Sequence, residues 1–239
     1  MKISIVTCCS ASRQRQADIT MPLFLGQIGP EELMELVISC DDGLVLPPDP
    51  RIVRSPMYFF GPGDELTGFK MCSSLNAAFD KAQGDVILLV QSDMRFRSRY
   101  QVKDMADALK PGTFVTERFY HEDGRKDLGI YCQCLMIRKD DLMVIGGYDP
   151  RFDGIPGEDG MMVTSLLERG LELIRLEHPQ DSGVEHIAHP RPDYNLPDNA
   201  AKIRRGRDMF YQMNNRTPKS VGAMYAHVMK IKEIPHEEA

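Results

Sequence analysis

Five consecutive apolar residues, Val86–Val90, follow Gly84 and Asp85 and give way at once to Gln91, Ser92 and Asp93. An apolar run of this length between turn residues reads as a strand buried on both faces. Such strands belong to parallel sheets covered by helices on either side. The run also poses the functional question. Either the strand simply surfaces into a solvated loop, or Asp93 stands at the carboxyl edge of a parallel sheet, where open α/β folds take their ligands.

The surrounding pattern agrees with a layered α/β domain. Residues 3–8 form a second apolar run, and residues 12–28 read as helical with a kink or restart at Pro22. Residues 33–40 give a helical turn and then a strand, and residues 51–54 a weaker one. Leu66, Phe69, Cys72, Leu75, Phe79 and Ala82 fall at helical spacing, which predicts an amphipathic helix over 66–83. Ser98 is placed to cap a helix reaching Lys110. Residues 113–119 and 128–138 read as a hairpin, 158–169 as a helix and 171–176 as a strand. Two polar helices, 198–213 and 219–230, close the chain. Alternation of strand and helix specifies a mixed, mostly parallel sheet flanked by helices, with a C-terminal helical tail.

Bulk properties exclude several classes. A chain of 239 residues with 42% hydrophobic and 27% charged content is an ordinary globular one. A formal charge of −6 argues against wholesale nucleic-acid binding. No apolar stretch is long enough for a membrane span or a secretion signal, so a cytoplasmic protein without an integral membrane segment is expected. The six cysteines include no C-x-x-C pair and read as free, mostly buried thiols.

A dinucleotide fold needs G-x-G-x-x-G after its first strand, and here that place holds TCCSASR, with no glycine. A phosphate-loop signature is also missing. The ends of the first two strands are rich in hydroxyls and acids instead. Thr7 and Ser10, with Asp41 and Asp42, suit hydrogen bonds to a nucleobase and ribose, and Arg13 is available to a phosphate.

The second half carries CLMIRKDDLMVIGGYDPRFDGIPGEDGMMVTSLLERG. A strand ending in Arg-Lys-Asp, then Gly-Gly-Tyr-Asp-Pro-Arg-Phe, then Gly-Glu-Asp opening a helix resembles the acceptor half of GT-A-fold glycosyltransferases. The likeness is to family 2 and its galactosyltransferase-like relatives. It extends back through ISIVT, VISCDDG and QSD and covers roughly residues 3 to 190. It implies a transferase domain over 1–190 with a helical extension, 191–239, packed on it.

The resemblance also implies roles. The strand-end triplet of that family is usually Asp-x-Asp, holding a divalent metal and the donor diphosphate. Here Gln91 replaces the first acid, so one anionic ligand is lost, while Asp93 keeps the position of the direct ligand and Ser92 lies between them. His186 and His189 are candidate second ligands, with His186 preferred because it directly follows a strand. Aspartate with imidazole suits Mn2+ as well as Mg2+. Asp159 is implied as the catalytic base and Glu158 as an acceptor or scaffold contact, both kept ionised by the helix N-terminus. Lys70 and Asn76 are implied donor contacts.

Other positions carry two readings each. Tyr148 lines the sugar pocket or fills space. The Gly146-Gly147 pair allows close packing near the acceptor site. Lys202, Arg204, Arg205 and Arg207 form a solvated helical face, or an element that approaches the diphosphate or an anionic acceptor. His178, beside Pro179, is expected at the surface. The implied activity is metal-dependent inverting transfer from a nucleotide-diphosphate sugar, with a UDP-sugar first. The acceptor is open among glycan, lipid-linked glycan, peptide and nucleobase. A non-catalytic binder on the same fold and a nucleotidyltransferase are the alternatives.

Overall fold

The computed structural model describes residues 1–27, 34–62, 64, 68–127, 132–189, 197–213 and 229–233. The strands are β1 (Ile3–Cys9), β2 (Met34–Cys40), β3 (Ile52–Pro56), β4 (Val86–Val90), β5 (Met94–Phe96), β6 (Thr113–Glu117), β7 (Phe119–His121), β8 (Cys134–Arg138), β9 (Glu172–Glu177), β10 (Val184–His186) and β11 (Met229–Glu233). The helices are α1 (Gln14–Leu25), α2 (Met71–Lys81), α3 (Gln101–Ala108), α4 (Lys139–Val144), α5 (Glu158–Glu168) and α6 (Pro197–Met213).

Eight strands form the main sheet in the order β11-β9-β6-β8-β4-β1-β2-β3. Only β8 is reversed, pairing antiparallel with both β4 and β6. β4 is buried on both faces, as its composition requires. Val86, Leu88 and Val90 pack into one core with Ala17, Met21 and Phe24 of α1 and Val102 and Met105 of α3. Ile87 and Leu89 pack into the other with Cys72, Leu75 and Phe79 of α2 and Met162 and Leu166 of α5. All six cysteines are free. Among the described residues no helix is long and apolar enough to cross a membrane.

Several local expectations give way to tertiary structure. α1 runs through Pro22 without restarting, because buried Met21 and Phe24 hold its last turn against the sheet. α2 starts at Met71, since Phe69 is bridged to Phe59 in an extended conformation; residues 65–67 lie outside the described residues. Ser98 does not cap α3: its Oγ accepts from the Tyr100 amide, and Tyr100 precedes the helix. Of the hairpin expected over 113–138, the antiparallel pairing of β6 with β8 is present, but the first strand stops at Glu117, β7 leaves for another sheet, and β8 begins at Cys134; residues 128–131 lie outside the described residues. The second tail helix is corrected at its end, since Met229 and Lys230 belong to β11, an edge strand parallel to β9. Residues 219–228 lie outside the described residues.

A second sheet, β5-β10-β7, was not expected. Its strands have three residues each, too few for a period to show. It hangs from the end of β4 and carries His186 back beside Asp93.

His178 is buried, not exposed. Its Nδ1 lies 2.7 Å from Glu117 Oε1 and its Nε2 3.0 Å from Asp104 Oδ2. Burial alone would lower the imidazole pKa, but the Glu117 and Asp104 carboxylates outweigh it and hold the ring above its usual value. Removing one member of such a group strands a charge in the interior. His178→Ala should therefore cost about 3–5 kcal/mol in urea denaturation. Adding Glu117→Gln to that variant should recover part of the loss.

Candidate active site

A cleft of about 730 Å³ opens at the carboxyl edge of the main sheet. Ser10 and Arg13 reach it from the turn after β1, and Gln91, Ser92 and Asp93 from the end of β4. Glu158 and Asp159 come from the first turn of α5, and His186 and His189 from the end of β10 and beyond. Seven parallel strands put their chain ends on one side, so residues far apart in sequence share one rim.

One wall is built around the Asp93 carboxylate. His189 Nε2 lies 3.0 Å from its Oδ2, His186 Nε2 3.6 Å and Arg13 Nη1 3.6 Å. Burial pushes the Asp93 pKa upward, yet His186, His189 and Arg13 together bring it below the ordinary aspartate value. The carboxylate is thus held ionised. Its other oxygen, Oδ1, is buried and has no hydrogen-bond partner among the described residues. One candidate ligand atom each from Asp93, His186 and His189 lies within 4.8 Å of the others. An unpartnered carboxylate oxygen beside two imidazoles fits a divalent cation, and the nitrogen content favours a transition metal such as Mn2+ over Mg2+. Gln91 contributes no charge to this set.

The same cleft is also lined by the two acids of α5. The Tyr148 hydroxyl donates to Asp159 Oδ1 at 3.0 Å, and the Cys132 thiol lies 3.6 Å from the Asp159 carbonyl oxygen. Glu158 Oε2 is buried without a partner among the described residues. The expectation that the helix N-terminus keeps both acids low is overturned. Burial raises both pKa values, and the charge of Asp159 raises Glu158 further. The Tyr148 hydrogen bond offsets only part of the Asp159 shift. Removing a carboxylate from water costs more than the end of one helix returns.

The remaining expected residues are distributed unevenly. Ser10 borders the cleft and its Oγ lies 2.7 Å from Ser12 Oγ. Asp41 turns away to accept twice from the Ala11 amide, at 2.9 and 3.1 Å, and so braces the turn that carries Ser10 and Arg13. Thr7 is wholly buried inside β1 rather than at its end. Lys70 stands at the start of α2, with Nζ 4.0 Å from Asp64 Oδ2 and 5.0 Å from the Phe60 ring centre. Asn76 is committed to the scaffold. Its Nδ2 donates to the Tyr148 carbonyl and its Oδ1 accepts from the Tyr148 amide, each at 2.8 Å. Gly147 is the residue that permits this clamp: its φ is +71°, and a Cβ there would overlap the Asn76 amide. The clamp holds the ring whose hydroxyl meets Asp159.

Sequence reasoning missed Gln133, which lies in the cleft wall with Oε1 buried and without a partner among the described residues. The available signal was a single amide between Cys132 and Cys134 in an apolar run. The basic side chains of Arg204, Arg205 and Arg207 on α6 are exposed. The opposite face of that helix packs Gly206 against the Pro156 carbonyl, where a Cβ would overlap, and Phe210 against Gly160. α6 therefore backs the loop that presents Glu158 and Asp159.

No protein-family model matches this chain, and no curated protein matches it by sequence. Solved structures do. S. aureus TarS 1–349 in complex with UDP-GlcNAc superposes with a TM-score of 0.61 at 13% identity, over 95% of this chain and 71% of that one. The mannosyltransferase PcManGT from Pyrobaculum calidifontis, in complex with GDP-Man and Mn2+, gives 0.61 at 12% identity, over 95% and 68%. Another S. aureus TarS structure gives 0.56 at 13% identity, over 93% of this chain but only 45% of that one. The chain thus spans less than half the length of that last structure. The likeness is one of fold: a mostly parallel sheet flanked by helices, in the GT-A arrangement.

The raised pKa values of Glu158 and Asp159 predict a stability effect. Both acids are protonated in either state below their unfolded values, about pH 4, and cost the fold nothing there. As pH rises from there to the higher folded values, the unfolded chain releases these protons first, so the native state loses stability until both acids are ionised in the fold as well. Glu158→Gln should therefore raise Tm at about pH 8 in chelator-treated protein, and the gain should vanish near pH 4. Thermal melts at the two pH values read this directly.

Proposed function

We propose that the chain is an inverting glycosyltransferase that moves a sugar from a nucleoside diphosphate donor to an acceptor hydroxyl. We place it nearest to family 2 and its galactosyltransferase-like relatives. The observation that carries the reading is that two unlike groups of side chains line one cleft. Asp93, His186, His189 and Arg13 form a wall suited to a diphosphate and its cation, and Asp159 in the same cleft is a half-buried carboxylate oriented by Tyr148. The transferase unit is taken as residues 1–190. Residues 191–239 form an extension that supplies α6 and the edge strand β11.

The chemistry is built from these positions. Asp159 accepts the proton of the acceptor hydroxyl as its oxygen bonds to the anomeric carbon. The bond from that carbon to the diphosphate oxygen breaks on the opposite face, and its electron pair leaves with the nucleoside diphosphate. Arg13 offers a guanidinium to the departing phosphates. A divalent cation held by Asp93, His186 and His189 would add positive charge where the leaving group gathers negative charge. Ser10, with the turn that Asp41 braces, is assigned to the nucleoside end. Glu158 shapes the acceptor approach. A carboxylate raised toward neutrality by burial is a better base than an ordinary aspartate.

The first test is nucleoside diphosphate release from a panel of nucleotide sugars with Mn2+, read with and without chelator. Uridine donors lead the panel because UDP-GlcNAc occupies one similar structure, and GDP-Man is included because it occupies another. Pyrophosphate release would favour a nucleotidyltransferase. Donor binding without release would favour a non-catalytic module, the reading that Gln91 supports.

Two substitutions separate the two groups. Asp159→Asn should lower turnover by about 10²–10⁴-fold while donor affinity stays nearly constant, and wild-type turnover would remove the base assignment. Asp93→Ala should weaken Mn2+-dependent donor binding in calorimetric titration. An unaltered titration curve would count against its role as a ligand.

A further inference from the structure

A second cavity, of about 660 Å³, adjoins the cleft. The two share Gln133, His186 and His189. Gln133 follows Cys132, whose thiol lies 3.6 Å from the backbone carbonyl of Asp159, so the common wall is linked through one residue to the start of α5. A transfer reaction needs such a chamber. The acceptor must reach the base from a space other than the one that holds the diphosphate.

The lining points to a ligand class. Among the described lining residues Glu122, Asp123 and Asp127 supply three carboxylates and Arg125 one guanidinium, which Asp123 holds at 2.7 Å, while His121 Nε2 lies 3.4 Å from Asp127 Oδ2. Beside these carboxylates, phosphate, sulfate and carboxylate groups are repelled. Carboxylates and an amide carbonyl accept hydrogen bonds from hydroxyls. Gln133 Oε1 is a buried acceptor with no partner among the described residues, and an acceptor left so is costly until a donor arrives.

We propose that this second cavity is the acceptor site and that it takes the hydroxyl-rich end of a saccharide bearing no anionic group. The proposal rests on the glycosyltransferase reading above and narrows its acceptor. Asp123 and Asp127 recognise acceptor hydroxyls, Gln133 takes one more at the junction, and the hydroxyl beyond it meets Asp159. Its proton passes to Asp159 as the new glycosidic bond forms and the diphosphate departs.

The test uses the full chain with Mn2+ and whichever donor releases nucleoside diphosphate. Release is measured alone, with neutral acceptors (maltose, lactose, cellobiose, chitobiose) and with anionic ones (glucose 6-phosphate, glucuronic acid). At least one neutral saccharide should accelerate release and yield a glycosylated product, with kcat/KM at least tenfold above either anionic sugar. Asp127→Asn should raise the acceptor KM about tenfold relative to its effect on nucleoside diphosphate affinity. Asp123→Lys should shift the neutral-to-anionic kcat/KM ratio toward the anionic sugars, a change that a loss of folding would not produce. Anionic acceptors used as well as neutral ones overturn the proposal. So does a ratio unmoved by Asp123→Lys, or donor turnover that neither class accelerates. Failure of every donor to release nucleoside diphosphate removes the underlying reading, and this proposal with it.

Discussion

A buried carboxylate must find positive charge or give up its own, and Asp93 is where this chain meets that requirement. β4 is apolar on both faces, so its backbone carries no polar side chain until it leaves the sheet. The first carboxylate to appear there is mostly enclosed, and two imidazoles and a guanidinium converge on one of its oxygens. The other oxygen has no hydrogen-bond partner among the described residues. The small sheet β5-β10-β7 makes sense in this light, because pairing β10 with β5 sets His186 opposite Met94, next in the chain to Asp93.

The two acids at the start of α5 meet the opposite situation. Glu158 and Asp159 are half-buried side chains whose carboxylates are desolvated, and among the described residues no basic group offsets this, so their pKa values rise where that of Asp93 falls. Carboxyl groups pushed apart in this way can divide roles, one fixed as an anion and another ready to take a proton. Support for these two acids is mechanical. Asn76 grips both backbone polar groups of Tyr148, Tyr148 touches Asp159, and α6 closes against Pro156 just before the two acids. Residues that looked like ligand contacts or fillers in the sequence thus act as a chain of supports for one carboxylate.

Much of the architecture was legible because burial writes itself into residue type. The central strands, the amphipathic α2, the first turn of α5 and the free thiols all follow from local pattern. The small sheet and the edge strand β11 were not, since their strands are too short or too polar to carry a period. In the site, Asp93, Glu158, Asp159, Ser10, Arg13, Ser92 and both histidines reach one cleft, whereas Thr7, Asp41, Lys70 and Asn76 do not line it. The misplacements share a cause. Proximity along the chain to a strand end says nothing about the direction of a side chain, and Asn76 and Asp41 each turn toward a backbone group that only the fold supplies.

By itself, the sequence determined which segments must be buried, their alternation, and the set of ionisable side chains at their ends, because apolar periodicity and turn residues are local properties. The tertiary structure decided which imidazole lies closer to Asp93, since His189 is 96 residues away and yet closer than His186. It also decided the upward pKa shift at Glu158 and Asp159 and the existence of a second cavity behind Gln133. These depend on desolvation and long-range pairing, which arise only once distant segments have excluded water from the space between them.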